Sequence, residues 1–214
     1  MTHRLTPNGT RPLFLGLSTG RSGSRYLASL LNEAGIKTLH ETSRPIAELL
    51  EQAGTGALRA INADPKYRDV RGEVSAHFVT QVEAPLAAQV WHFSRHPQPF
   101  VSSLIKFGFW RMKAPSIHPY LRCNGDQVAD SFRYWLDWNQ RIMGITQPPQ
   151  RTTFRIEDLS RELIARLADT IGADADVTKI DPVWNEKQEF AAIPTDIEAE
   201  VGEMMEVLGY AQAG

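Results

Sequence analysis

The chain of 214 residues carries one cysteine, Cys123. That excludes an intramolecular disulfide and any fold stapled by cross-links, and it agrees with a reducing compartment. No apolar run approaches the ~20 residues that a membrane-spanning helix needs. The opening segment MTHRLTPNGTRP has no apolar signal-peptide core, so the expectation is a cytoplasmic protein. Excess charge is also missing: 23 Lys and Arg against 25 Asp and Glu leave a net charge of −2. Such a balance gives no general pull toward nucleic acid or an anionic membrane. Nor is there a metal-ligand cluster. His92 and His96 are four apart, but in a strand followed by a turn that spacing does not bring two imidazoles to one face, and no metal is expected. Internal repeats and low-complexity tracts are absent as well.

What is present is ordinary in amount and uneven in placement. Apolar residues make up 42% and charged residues 22%, enough for one domain over 1–214 with a substantial core. Residues 1–11 read as a loose leader. From Arg4 to Arg44 there are six basic residues and two acidic ones, whereas after Lys187 there are six acids and no Lys or Arg. The front of the chain is therefore anion-seeking, and the last helix is acidic and solvated.

The most informative stretch is Leu13 to Asn32, LFLGLSTGRSGSRYLASLLN. An apolar run ends in a Gly- and Ser-rich turn, and an amphipathic helix begins at once. Backbone N–H groups of such a turn, together with the helix dipole, form a pocket for a phosphate-like anion. Thr19, Gly20, Arg21, Ser22, Gly23, Ser24 and Arg25 are the candidate ligands. Gly20 and Gly23 allow close backbone approach or positive φ. The spacing is not that of G-x-x-x-x-G-K-[ST]: Gly16 and Gly20 are one residue too close, and the basic residue is Arg21.

Along the chain, short apolar runs alternate with helical patterns. Strands are expected at 13–17, 36–39, 70–74, 89–93 and 152–156. Helices are expected at 24–34, 46–52, 78–88, 97–107, 127–145, 160–171 and 195–208. Alternation of this kind predicts an α/β fold, a P-loop-like three-layer domain with a central, mostly parallel sheet flanked by helices. The loops after the first, second and fourth strands would then meet on one edge. Residues 108–124 hold bulky, basic and Pro residues without period and read as a loop over an acceptor. There Phe109, Trp110 and Tyr120 either stack on a ligand or anchor the loop. The stripe of Phe132, Trp135 and Trp138 reads as core.

A second anion motif follows the fourth strand in WHFSRHPQPFVSSLIKFG, Trp91 to Gly108. A strand delivers Arg95, Pro97 opens a helix, and Ser103 follows eight residues after Arg95. A guanidinium fork and a hydroxyl suit a phosphate. The ordered pair, RSGS at 21–24 and R-x-P with Ser103, resembles the PAPS-dependent sulfotransferases, the chain looking like a compact bacterial-type member. FRIEDL at 154–159 resembles that family's late strand motif, and VLGY at 207–210 resembles its terminal helix. The resemblance implies that Arg21, Ser22, Gly23 and Ser24 hold the 5′-phosphosulfate of 3′-phosphoadenosine 5′-phosphosulfate (PAPS). It implies that Arg95 and Ser103 hold the 3′-phosphate, and that the product is PAP. Two departures stand out. A lysine common on the family's third strand is absent, with Val74 in its place, and the RKG-type nucleotide motif near the C-terminus is missing.

Sulfuryl transfer asks for alignment, electrostatic stabilisation and one base for the acceptor. Candidates for that base are Glu41, then His40, both just after the second strand, and then His77. Arg155 and Glu157 read as a structural pair, and Glu73 as a residue that could brace Arg95. The expected partner is a small-molecule, carbohydrate or lipid acceptor bearing a hydroxyl or amine, with no nucleic acid, and the reading is compatible with a homo-oligomer. Two alternatives stay open: a P-loop-type small-molecule kinase, or a non-catalytic nucleotide-binding member of the same fold.

Overall fold

The computed structural model describes residues 14–40, 70–75, 89–108, 125–183 and 190–210. Five strands form one sheet: β1 (Phe14–Leu17), β2 (Thr38–His40), β3 (Gly72–Ser75), β4 (Gln89–Ser94) and β5 (Arg151–Arg155). Every pairing is parallel and the order is β2-β3-β1-β4-β5. The described helices are α1 (Ser24–Glu33), α2 (Pro97–Lys106), α3 (Gln127–Ile145), α4 (Arg161–Thr170) and α5 (Glu198–Val207). This is the α/β architecture expected. The helices anticipated at 46–52 and 78–88, the loop beyond Gly108, Glu41 and His77 lie outside the described residues.

Strand side chains alternate between two apolar layers, as the two-residue period demands. Leu15, Leu17 and Val90 point into a core with Phe100, Leu104, Trp135, Trp138 and Val201, from α2, α3 and α5. Phe14, Val74, Trp91 and Phe93 point the other way, onto Leu27, Leu31, Ile164 and Leu167 of α1 and α4. The sheet is thus buried on both faces, as parallel sheets are. Phe14 and Trp91 stack with ring centroids 3.7 Å apart. Gly72 leaves room for Phe14, since a Cβ there would sit 2.3 Å from the Phe14 carbonyl oxygen.

Element ends follow local hydrogen bonding. The second strand begins at Thr38 rather than at Ile36. After α1 the backbone passes Gly35 at φ 87°, and the Ile36 N–H donates back to the Leu31 carbonyl. The Asn32 side chain accepts from the Thr38 N–H and donates to its carbonyl, fixing where the strand starts. Helix α3 occupies its expected span because Asp126 caps it, its carboxylate accepting from Val128 and Ala129 N–H. The last helix starts at Glu198, with 195–197 forming a turn before it. Among the described residues no helix is long and apolar enough to cross a membrane.

Parallel α/β sheets bind ligands at the carboxyl edge, where neighbouring strands connect in opposite directions. Here β1 connects toward β2 on one side, and β4 lies on the other. The loop after β1 and the turn after β4 therefore face each other across that crevice.

One core group ties stability to pH. His92 is fully buried, with Nε2 2.8 Å from Asn139 Oδ1. Burial, aided by the Arg151 charge and opposed by the Asn139 bond, lowers its pKa to about 4. The unfolded chain takes up this proton near pH 6.5 and the folded chain only near 4. The contribution of His92 to stability then falls as pH drops through that window, by up to roughly 3 kcal/mol. Urea unfolding between pH 7 and pH 4 should show this decline in the wild type and a flatter profile in His92→Gln.

Candidate active site

The loop after β1 is built from buried hydroxyls. Ser18, Thr19 and Ser22 are at most 1% exposed, and Thr19 Oγ1 and Ser22 Oγ are hydrogen-bonded to each other. Gly20 N–H donates to the Tyr134 hydroxyl of α3 at 2.9 Å, anchoring the loop from below. Gly23, at φ 84°, turns the chain into α1. No side chain caps that helix, and no acidic residue stands in its first turn. Among the described residues, no side chain takes up the N–H groups that open this helix, groups that suit an anionic acceptor. Arg25 is exposed in this first turn.

Arg21 is the one non-glycine residue with positive φ among the described residues, at 72°. Its carbonyl accepts from Arg95 Nη1 at 2.9 Å. Its guanidinium crosses to α2, where Nε and Nη2 each lie 3.4 Å from Ser103 Oγ. The guanidinium carbon sits 4.3 Å above the centre of the Phe107 ring. The structure therefore brings Arg21, Arg95 and Ser103 together, although 74 positions separate the two arginines. Arg21 is exposed; Arg95 is 3% exposed.

The Ser94–Pro97 turn is held from three directions. Trp135 of α3 donates its indole N–H to the Arg95 carbonyl at 2.9 Å. Glu157, in the 3-10 turn after β5, accepts from His96 N–H at 2.8 Å and from the Tyr210 hydroxyl at 3.2 Å. Tyr210 is also 3.0 Å from Ser94 Oγ, and its ring meets His96 edge-on. Burial raises the Glu157 pKa, while the His96 N–H, the Tyr210 hydroxyl and the Arg95 charge act against the rise. Burial likewise lifts the Tyr210 phenol well above its ordinary value and lowers that of the His96 imidazole.

The ion pair expected between Arg155 and Glu157 is formed otherwise. Arg155 makes a two-pronged pair with Asp158, at 2.5 and 2.6 Å, and donates to the Gly209 carbonyl. Glu157 is turned inward to the Arg95 turn. Glu73 is buried on β3. Of the three candidate bases, His40 is described: it ends β2, and its Nε2 lies 3.0 Å from Ser24 Oγ, at the start of α1. Among the described residues no group of three or more His, Cys, Asp or Glu is placed to hold a metal ion.

Sequence reasoning overlooked Tyr134 and Phe107 as parts of this site and assigned Trp135 to the core alone. A buried Trp or Tyr normally brings its polar atom to a partner, and that was the available signal.

No family model matches the chain, and no curated protein matches it in sequence. Solved structures do resemble it. The Sulfotransferase Domain from the Curacin Biosynthetic Pathway superposes with a TM-score of 0.59 at 12% identity, over 93% of this chain and 98% of that one. The Sulfotransferase Domain from the Synechococcus PCC 7002 Olefin Synthase gives 0.55 at 14% identity, over 93% and 94%. The likeness is one of fold, and it runs nearly the full length of each chain.

Removing the Glu157 carboxylate should expose how much the turn depends on it. Glu157→Ala leaves the half-buried His96 N–H without its acceptor and should cost about 1–3 kcal/mol in chemical denaturation. Glu157→Gln, which keeps an accepting oxygen, should recover most of that loss.

Proposed function

We propose that this protein is a sulfotransferase moving a sulfuryl group from PAPS to a hydroxyl or amine of a small-molecule, carbohydrate or lipid acceptor. One observation carries the reading. In a fold similar to that of sulfotransferase domains, the loop of Arg21, the buried Arg95 and Ser103 converge at the crevice between β1 and β4. The donor, when bound, supplies an electrophilic sulfur and a phosphate leaving group.

The chain's own groups fit that donor. Thr19–Ser24 and the uncapped start of α1 offer N–H groups and hydroxyls to the 5′-phosphosulfate. There the helix dipole favours the charge that develops on the leaving phosphate. Arg95 and Ser103 serve the 3′-phosphate. Exposed Arg25 adds positive potential at the mouth. A kinase of the P-loop class would need the Lys-Ser/Thr pair at its own spacing, which this loop lacks.

For the base, the contact between His40 and Ser24 favours His40. It sets Nε2 beside the donor loop. An acceptor hydroxyl that replaced Ser24 on this nitrogen would give up its proton there as its oxygen meets the sulfur. Glu41 and His77 remain the competing assignments.

Calorimetry with PAP tests the donor half: the wild type should bind it, and Arg95→Ala should bind it roughly 10–100-fold more weakly. A wild-type protein that ignores PAP, or that prefers ATP with magnesium, would end the sulfotransferase reading. For the base, His40→Ala should lower turnover roughly 10²–10⁴-fold with PAP affinity unchanged. Should Glu41→Gln or His77→Ala show that loss and His40→Ala not, the assignment moves to the residue concerned.

A further inference from the structure

A cleft of about 630 Å³ opens between the start of α2 and α5. We propose that it is a second binding site, one that takes a small organic cation: an ammonium group carried on an apolar body. The donor site makes no use of it. Gln98, which lines the cleft, and Ser103 are five residues apart on α2, so they point to different sides of that helix.

Three observations carry the proposal. First, the size and lining suit a small molecule. Ligand clefts run to roughly 300–1,000 Å³ and are largely apolar. Here the buried Met205 and Ile193, which packs against the core, supply apolar surface. Second, the charge has one sign. Glu198, Glu203 and Glu206 border the cleft from one face of α5, and among the described residues that line it no Lys or Arg stands. After Lys187 the chain has no Lys or Arg at all. His96 forms part of the wall, and burial lowers its pKa, so at neutral pH it brings no competing positive charge. Third, α5 gives up stability to keep the space open. Gly202 stands inside the helix and lines the cleft. A helical glycine is less stable than an alanine, having more freedom to lose on folding. No close approach demands it, since a Cβ at Gly202 would meet nothing within 4 Å. What the missing side chain leaves is room.

The combination selects its ligand. Three carboxylates repel an anion, and a small hydrated ion gains nothing from apolar walls. An ammonium on an apolar body uses both. The cleft also shares a wall with the Arg95 turn: the His96 N–H is held by Glu157, and its ring meets Tyr210. Under the sulfotransferase reading, on which this one link rests, the acidic rim opposes a polyanionic donor nearby. A cation in the cleft cancels part of that field, so each ligand favours the other.

The probe is phenethylamine, with phenethyl alcohol as its uncharged counterpart and trilysine as a basic peptide, each measured by calorimetry on the whole chain. The amine should bind the wild type, and the alcohol should bind at least about tenfold more weakly. Glu198→Gln combined with Glu203→Gln should weaken the amine roughly 5–20-fold. Gly202→Leu fills the cleft and should abolish binding, while its melting temperature stays at or above that of the wild type. With the amine at saturation, PAP should bind about two- to fivefold more tightly. Equal affinity for alcohol and amine, binding of trilysine without the amine, or full affinity in Gly202→Leu would each overturn the inference. Unchanged PAP affinity removes the link to the Arg95 turn. A wild type that binds the amine as described and ignores PAP ends the sulfotransferase reading and upholds the cleft.

Discussion

The hydrogen bond from Arg95 Nη1 to the Arg21 carbonyl ties together the two halves of the candidate site. It joins the turn after β4 to the loop after β1, at the one crevice where the sheet's connections diverge. A guanidinium 3% exposed is costly to bury unless it is paired and hydrogen-bonded. Arg95 meets that requirement with a backbone carbonyl on one side and the nearby charge of Glu157 on the other. The same bond holds Arg21 in a conformation its Cβ resists, and that decides where the second guanidinium goes. Two residues far apart in sequence thereby become one unit, and neither can move without the other.

The fold gives this unit a stiff base. Trp135 grips the Arg95 carbonyl from α3, Tyr134 grips Gly20 from the same helix, and Glu157 with Tyr210 grips His96 and Ser94 from the 3-10 turn after β5 and the turn after α5. Helix α3 thus supports both anion motifs through neighbouring aromatic residues whose rings are packed in the core. Groups that meet an anion gain most when their geometry is set beforehand. Here the setting comes from side chains whose apolar bodies stabilise the fold while their polar tips fix the loops.

Much of the architecture was legible in the sequence because it rests on local pattern. Alternating apolar runs, Pro97 at a helix start and Gly35 after a helix each act within a few residues of themselves. The form of the two candidate anion motifs was legible for the same reason: each is a strand, a turn and a helix start. What stayed hidden depends on contacts between distant segments. Arg21 gives no sign of positive φ, because a bond from 74 positions away enforces it. The choice of Asp158 over Glu157 as the partner of Arg155 depends on Glu157 being drawn inward by a backbone N–H of another loop. Tyr134 looked like any aromatic residue in a buried helix. Of the base candidates, the described residues include His40 alone, and its neighbour Ser24 belongs to a different element, so no spacing rule could have paired them.

The charge arrangement concentrates positive potential at this crevice. Arg21 has a hydroxyl and an aromatic face as its side-chain partners among the described residues, and neither neutralises it. Arg95 lies beneath, with Glu157 held on the far side by His96 and Tyr210, so its carboxylate is not free to swing toward Arg21. Across the loop, α1 opens with no acid in its first turn and, among the described residues, no side-chain cap. Positive potential is therefore concentrated at two places, the start of α1 and the guanidinium over α2, with Arg21's own backbone between them. A ligand with a single anionic group can answer only one of them. A ligand with two anionic groups that could reach both would make the second contact at little further loss of freedom once the first is made. Under the proposed reading, these two positive regions are what the two phosphates of the donor would meet.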